Sequence, residues 1–117
     1  MPEDKLIEIS NWLTEDIWNK GFSDISSYFS TGKSSTGEEL DIDFTKSQLA
    51  KVIEKKADYD KYITGLDESY LDIKEIWNKL SPEIDNLYQQ IESGVTELNT
   101  DRFKQYFDAF YDAVYDY

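Results

Sequence analysis

Large side chains recur every three or four residues from Leu49 to Ile91, at Leu49, Val52, Lys56, Tyr59, Ile63, Leu66, Tyr70, Ile73, Trp77, Leu80, Ile84, Leu87 and Ile91. Lys56 alone in that series is neither apolar nor aromatic. A spacing near 3.5 residues keeps one stripe of a helix turned towards a neighbour over many turns, so this half of the chain is expected to be helical and packed along its length. Upstream, Leu6, Ile9, Leu13 and Ile17 repeat at helical spacing, with Pro2, Glu3 and Asp4 as first-turn residues and Gly21 as a stop. The first helix is therefore expected over about residues 3 to 20. Trp12 and Trp18 widen its apolar face, and Phe22, Ile25 and Phe29, with Tyr28, suggest a short second helix.

Polar punctuation divides the remainder. Ser30-Thr31-Gly32-Lys33-Ser34-Ser35-Thr36-Gly37 has turn composition and nothing to bury, which predicts an exposed Ser/Thr/Gly loop near residues 30–44, the first place to look for disorder. Thr45 is the expected N-cap of a helix over about residues 46 to 64, with Gly65 at its end. Asp67 can cap the next helix, which Gly94 would end after Ser93. Pro82 lies inside that segment, and Ser81-Pro82-Glu83 also reads as a helix start, so a kink or a break is expected there. A last helix should begin at a Thr100 cap and carry Phe103, Phe107, Phe110, Val114 and Tyr117 on one face.

Two architectures satisfy this pattern. A single rod from Leu49 to Ile91 would be roughly 65 Å long at a 1.5 Å rise per residue, about twice the width of a compact domain, and would need a coiled-coil partner. Breaking it at Gly65, with or without Pro82, folds the stripes back on themselves. The expected fold is accordingly all-α: a single domain over residues 1–117, an antiparallel bundle of about four main helices. The phase preserved across Gly65 is the argument for the rod.

Charge then narrows the partner. The 117 residues carry 25 acids against 12 bases, a formal charge of -13, and Arg102 is the single arginine. Such a balance repels nucleic acids and anionic membranes and favours basic protein partners. Residues 45–65, with Lys46, Lys51, Lys55, Lys56 and Lys61, form the one basic segment, expected to lie between acidic helices. No Cys and no His are present, which removes disulfides, zinc sites and thiol or imidazole catalysis. No leader and no span long enough for a bilayer is evident, so a cytoplasmic protein is expected.

Short motifs do not supply chemistry. Gly32-Lys33-Ser34 imitates the end of a phosphate-binding loop, but Ser27 stands where the first glycine belongs and no strand precedes it. Asp41 with Asp43, and Asp58 with Asp60, do not continue into a calcium loop. Glu38-Glu39 is followed by Ile42 where a helical pyrophosphohydrolase places its third glutamate. No catalytic residue, metal site or cofactor is assigned, and an enzyme is not expected. Asp16-Ile17-Trp18-Asn19-Lys20 and Glu75-Ile76-Trp77-Asn78-Lys79 are near-repeats, read as two helix segments that each need a core Ile-Trp pair and an acid four residues before a lysine.

The most suggestive surface is the C-terminal helix. Asp108, Asp112 and Asp116 recur four apart, where like charges repel, and the last two also oppose the helix dipole. Tyr106, Tyr111 and Tyr115 interleave with them, and Glu68, Asp72 and Glu75, like Asp4, Glu8 and Glu15, make further acidic ridges. Carboxylates that steer association beside tyrosine anchors suit a Lys/Arg-rich protein surface. In charge, size and helical character, though not in any motif, the chain resembles the DNA-mimic proteins of phages and mobile elements, among them anti-restriction and anti-CRISPR proteins, and the acidic helical immunity proteins. That resemblance implies an inhibitor occupying the basic site of a nuclease or another nucleic-acid-binding protein. The pattern of acids and tyrosines makes Asp108, Tyr111, Asp112, Tyr115, Asp116, Glu68, Asp72 and Glu75 the expected partner-binding residues. The alternative is a helical scaffold, a homodimeric coiled-coil adaptor or a WXG-like secretion partner; the protein itself is expected to be a monomer or homodimer. Against the last, Trp18-Asn19-Lys20-Gly21 is one residue too long and Tyr115 stands where the C-terminal acidic residue belongs.

Overall fold

The computed structural model describes residues 2–116, which contain helices and no strand. Tyr117, expected on the buried face of the last helix, lies outside the described residues.

The N-terminal helix does not stop at Gly21. α1 (Pro2–Asn11) passes into a π-helical segment (Trp12–Ser23) and then into α2 (Asp24–Thr31). Asn11, Ser23 and Asp24 at the joints all hold right-handed helical angles, so the pieces form one rod. π winding is rare and survives where packing selects it. Trp12, Ile17 and Phe22 recur five apart and are almost fully buried. Five residues of an α-helix overshoot a full turn by roughly 140°, whereas a ladder of i→i+5 hydrogen bonds keeps them on one side. Gly21 is a packing residue within this segment: a Cβ there would lie 2.9 Å from Leu49 Cδ1 and 3.0 Å from the Asp16 carbonyl oxygen.

The second rod is bent. α3 (Ile42–Ile53) is capped by Asp41, whose Oδ1 accepts the Phe44 N–H at 3.1 Å. Thr45, the expected cap, is buried one turn in and donates its hydroxyl to the Asp41 carbonyl at 2.9 Å. At Glu54 and Lys55 the ladder tightens to i→i−3 bonds before α4 (Lys56–Thr64), and the Trp12 indole donates to the Val52 carbonyl at 2.9 Å. A side chain inserted into the ladder is a sufficient cause for the bend. The loop is thus shorter than expected, about residues 32 to 41, and it does bury something. Ser34 is buried, its hydroxyl accepts the Glu38 N–H at 3.1 Å, and Asp24 accepts the Ser35 N–H and hydroxyl at 3.0 and 2.6 Å.

Gly65 closes α4 with ordinary helical angles, and Asp67 caps the 3-10 turn Glu68–Tyr70 by accepting the Ser69 N–H at 2.9 Å. α5 (Leu71–Glu92) follows and runs through Pro82 without a break. The proline costs about 3 kcal/mol in a helix interior. It lies on the exposed face, while Trp77, Leu80, Ile84 and Leu87 bury the opposite face on both sides of it. α5 ends where Gly94 takes φ 84°, and the N–H groups of Gly94 and Val95 return to the carbonyls of Ile91 and Gln90 at 3.2 and 3.0 Å, a Schellman closure. α6 (Asp101–Tyr115) starts beside Thr100, but the capping bond comes from Asn99, whose Oδ1 accepts the Asp101 N–H at 3.1 Å.

The four rods alternate in direction around one core. Trp12 meets Tyr59 with ring centroids 5.0 Å apart, Trp77 meets Phe110 at 5.4 Å, and Phe103 meets Trp18 and Phe22 at 5.7 and 5.3 Å. The molecule measures 44 × 25 × 23 Å, far short of the extended rod. The Leu49–Ile91 stripe is spent inside the chain's own core, with Leu49, Tyr59, Ile63, Ile73, Trp77, Leu80, Ile84, Leu87 and Ile91 all buried. The two near-repeats occupy different settings: Ile17 is buried with Trp18 half-buried, but Trp77 is buried with Ile76 half-buried. Neither forms the expected acid-to-lysine ion pair among the described residues.

Lys56, the one polar member of the stripe, anchors a knot between α4 and α5. Its ammonium pairs with Asp60 Oδ2 at 3.1 Å and Asp85 Oδ2 at 3.0 Å, and Asp60 Oδ1 accepts the Trp77 indole N–H and the Ser81 hydroxyl, both at 2.7 Å. Burial lowers the Lys56 pKa, but the hydrogen bonds and charges of Asp85 and Asp60 outweigh it and hold the value above its usual one. Internal complementarity of the basic segment is therefore concentrated in this residue. Lys46 instead lies 5.7 Å from the Phe29 ring centre, and Lys51, Lys55 and Lys61 make no ion pair within 4.0 Å among the described residues.

Two substitutions test this packing by urea unfolding. Asp60→Ala strands three donors and is expected to cost about 2–4 kcal/mol; a loss within experimental error of zero would make the knot incidental. Gly21→Ala should gain about 1 kcal/mol from helix propensity alone. Crowding against Leu49 and the Asp16 carbonyl predicts a net loss instead, so the sign of the change decides.

Candidate functional site

α6 is amphipathic to its last turn. Phe103, Phe107, Phe110 and Val114 are buried, and Asp108, Tyr111, Asp112 and Tyr115 are exposed. Asp108 precedes Tyr111 and Asp112 by three and four residues and Tyr115 follows them by four and three, so the four share one helix surface. Their rings continue a ladder out of the core. Phe103 to Phe107 is 5.8 Å between centroids, Phe107 to Tyr111 is 6.4 Å and Tyr111 to Tyr115 is 4.5 Å, while exposure climbs from 1% at Phe103 to 47% at Tyr115. Tyr111 and Tyr115 thus present edges and faces to solvent on a base held by buried phenylalanines. Asp116, exposed, terminates the helix and extends the carboxylate row. Tyr106 is half-buried and faces elsewhere.

Glu68, Asp72 and Glu75 are also exposed, on the 3-10 turn and the first turns of α5. The short connection from Glu92 to Asp101 together with the Trp77–Phe110 contact sets α5 and α6 antiparallel, so this ridge and the Asp112–Asp116 end of α6 share one pole of the bundle. Glu3 reaches the same pole, where the Tyr70 hydroxyl donates to its Oε1 at 3.4 Å. The acidic surface is therefore assembled from chain positions far apart in sequence. Of the other ridge, Glu8 is tied down: Lys5 pairs with it at 3.0 Å and the Tyr59 hydroxyl donates to it at 2.9 Å.

The discarded motifs find local uses. Gly32 ends α2 rather than following a strand, and Ser34 is consumed by loop hydrogen bonds. Asp41 caps α3 and Asp60 belongs to the knot. Among the described residues no cluster of three acidic side chains could hold a metal ion, and no helix is long and apolar enough to cross a membrane. A feature that periodicity did not expose is a groove of about 500 Å³ between the π-helical segment and α3, with Phe44 61% exposed at its edge. The intervals of five among Trp12, Ile17 and Phe22 were the available signal for the winding that shapes it.

Electrostatics near the N-terminal helix generate a pH prediction. Burial, then the hydrogen bond and charge of Glu8, push the Tyr59 phenol from 10.0 up to about 12. In the unfolded chain this phenol ionises first, so its contribution to stability is complete below about pH 10 and is lost as pH rises towards about 12. Lys56 acts in the same direction, because its raised pKa means that the unfolded chain sheds that proton first above 10.5. Melting temperature followed by circular dichroism should fall through this alkaline window, and Tyr59→Phe should flatten the fall; an unchanged slope would remove Tyr59 from the account.

No protein-family model, curated protein or solved structure matches this chain.

Proposed function

We propose that this protein is a non-enzymatic acidic binding module, an inhibitor or immunity-type protein that occupies the basic, nucleic-acid-binding site of a nuclease or similar protein. The observation that carries the reading is the exposed face of α6, where Asp108, Asp112 and Asp116 flank the solvent-facing rings of Tyr111 and Tyr115. Rings rooted in a packed core lose little conformational entropy on binding, and carboxylates beside them steer a cationic surface into register. Arginine suits both, pairing with carboxylate and stacking on tyrosine.

Charge density favours a broad acidic surface over a copy of a single DNA strand. Carboxylates four residues apart on a helix rise about 6 Å per step, whereas one DNA strand advances one charge per roughly 3.4 Å. The α6 row alone supplies about half that density, and the α5 ridge at the same pole adds to it. Burial of the Leu49–Ile91 stripe in the chain's own core supports this reading over a coiled-coil adaptor.

The immobilised protein should retain a nuclease or nucleic-acid-binding protein from a host lysate at low salt, release it at high salt and lose it to competing duplex DNA. The triple substitution of Asp108, Asp112 and Asp116 to Asn should weaken retention at least about tenfold with unchanged helicity, since clustered interface charges are worth a kcal/mol or more together. Retention that is indifferent to salt, to DNA and to these substitutions would end the reading.

A further inference from the structure

A groove opens on a different side of the long rod. Leu40, Phe44, Leu49 and Val52 give the groove between the π-helical segment and α3 an apolar lining, and Phe44 leaves 61% of its surface in solvent one turn into α3. The rim is charged with one dominant sign: Asp16, Asp24, Glu39 and Asp41 stand there against Lys20 alone. Asp24 and Asp41 are held in place, the first by Ser35 and the second as the cap of α3. Asp16 and Glu39 make no ion pair or hydrogen bond among the described residues. The walls are fixed as well, because Gly21 admits Leu49 to close contact with the rod.

We infer that this groove docks a basic amphipathic peptide segment of a partner protein, with an apolar or aromatic side chain seated against Phe44 and flanking arginine or lysine paired with Asp16 and Glu39. Four carboxylates reject nucleic acid and anionic lipid, and an exposed aromatic ring calls for an apolar group between the cations. A groove whose walls, Asp24 and Asp41 are already held leaves mainly the Asp16 and Glu39 side chains to be ordered on binding. The inference shares the basic class of partner with the proposed function but not its surface. On the same rod Trp18 and Phe22 reach Phe103 of α6, whereas Asp16, Lys20 and Asp24, four residues apart, edge the groove.

The test titrates isotope-labelled protein with a short acetylated peptide that has arginines on both sides of a central Leu-Trp pair, using a glutamate-for-arginine peptide as control. The expected result is saturable shifts at the amides of Gly21, Phe44, Gln48 and Leu49. Phe44→Ala should weaken binding about tenfold, as expected for an aromatic anchor, and Asp16→Asn with Glu39→Gln should reduce its salt dependence. Asp108→Asn with Asp112→Asn should leave groove binding unchanged. Phe44→Arg, at a site already exposed, serves as a second block that does not create a cavity. Shifts confined to residues 108–116 would overturn the groove and leave the α6 reading standing. Shifts in the groove with none on α6 would support the groove and count against the α6 surface as the cation site. Equal binding of the glutamate peptide, or indifference to both Phe44 variants, would overturn the inference.

Discussion

Asp60 fixes the register in which α4 meets α5. Its carboxylate takes the Lys56 ammonium on one oxygen and the Trp77 indole and Ser81 hydroxyl on the other, and Lys56 continues to Asp85. Apolar stripes alone would let α4 and α5 slide past one another, since hydrophobic burial has no direction. A lysine whose side chain is only 12% exposed and a carboxylate with three donors allow one register, because any slip leaves a buried charge or donor without a partner. The same knot spans Pro82 on α5, with Ser81 immediately before the proline and Asp85 in the turn after it, so the helix is held across the position where its own ladder lacks a bond.

The long N-terminal rod depends on a comparable exchange with the second rod. The Trp12 indole borrows the Val52 carbonyl, and the second rod bends at Glu54 and Lys55 beside that carbonyl. Gly21 lets Leu49 approach the rod, while the wide winding keeps Trp12, Ile17 and Phe22 on the buried side. Each irregularity is thus matched by a named contact across the interface. One consequence is the groove beside α3, a cavity bounded by the π-helical segment.

Acidity works differently on the two proposed surfaces. On α6 the carboxylates are exposed and repel one another along a regular helix, so local stability does not account for their arrangement. At the groove two of the four acids already have structural duties, in the Ser35 contact and the α3 cap, and the remaining two are unpaired among the described residues. A basic partner would relieve repulsion on both surfaces, and aromatic rings stand ready at both.

Much of this was legible in the residues themselves. The 3-4 spacing marks the helices, the apolar faces of α5 and α6 name buried residues correctly among the described residues, and Asp67 and Gly94 punctuate as their chemistry requires. The α6 row of Asp and Tyr could also be read directly, because residues three and four apart on a helix are neighbours whatever surrounds them. Tertiary structure decided what periodicity cannot express. Gly21 reads as a stop but serves as a contact with Leu49, and Thr45 reads as a cap but is buried behind Asp41. Lys56 reads as a flaw in the stripe but is the centre of the knot, and Pro82 reads as a boundary but lies within an unbroken helix. For Gly21 and Pro82 the local preference amounts to about 1–3 kcal/mol, and contacts far away in sequence override it, with Leu49 at Gly21 and with Asp60 and Lys56 on either side of Pro82; Thr45 yields its cap to Asp41 four residues earlier because its own side chain is buried.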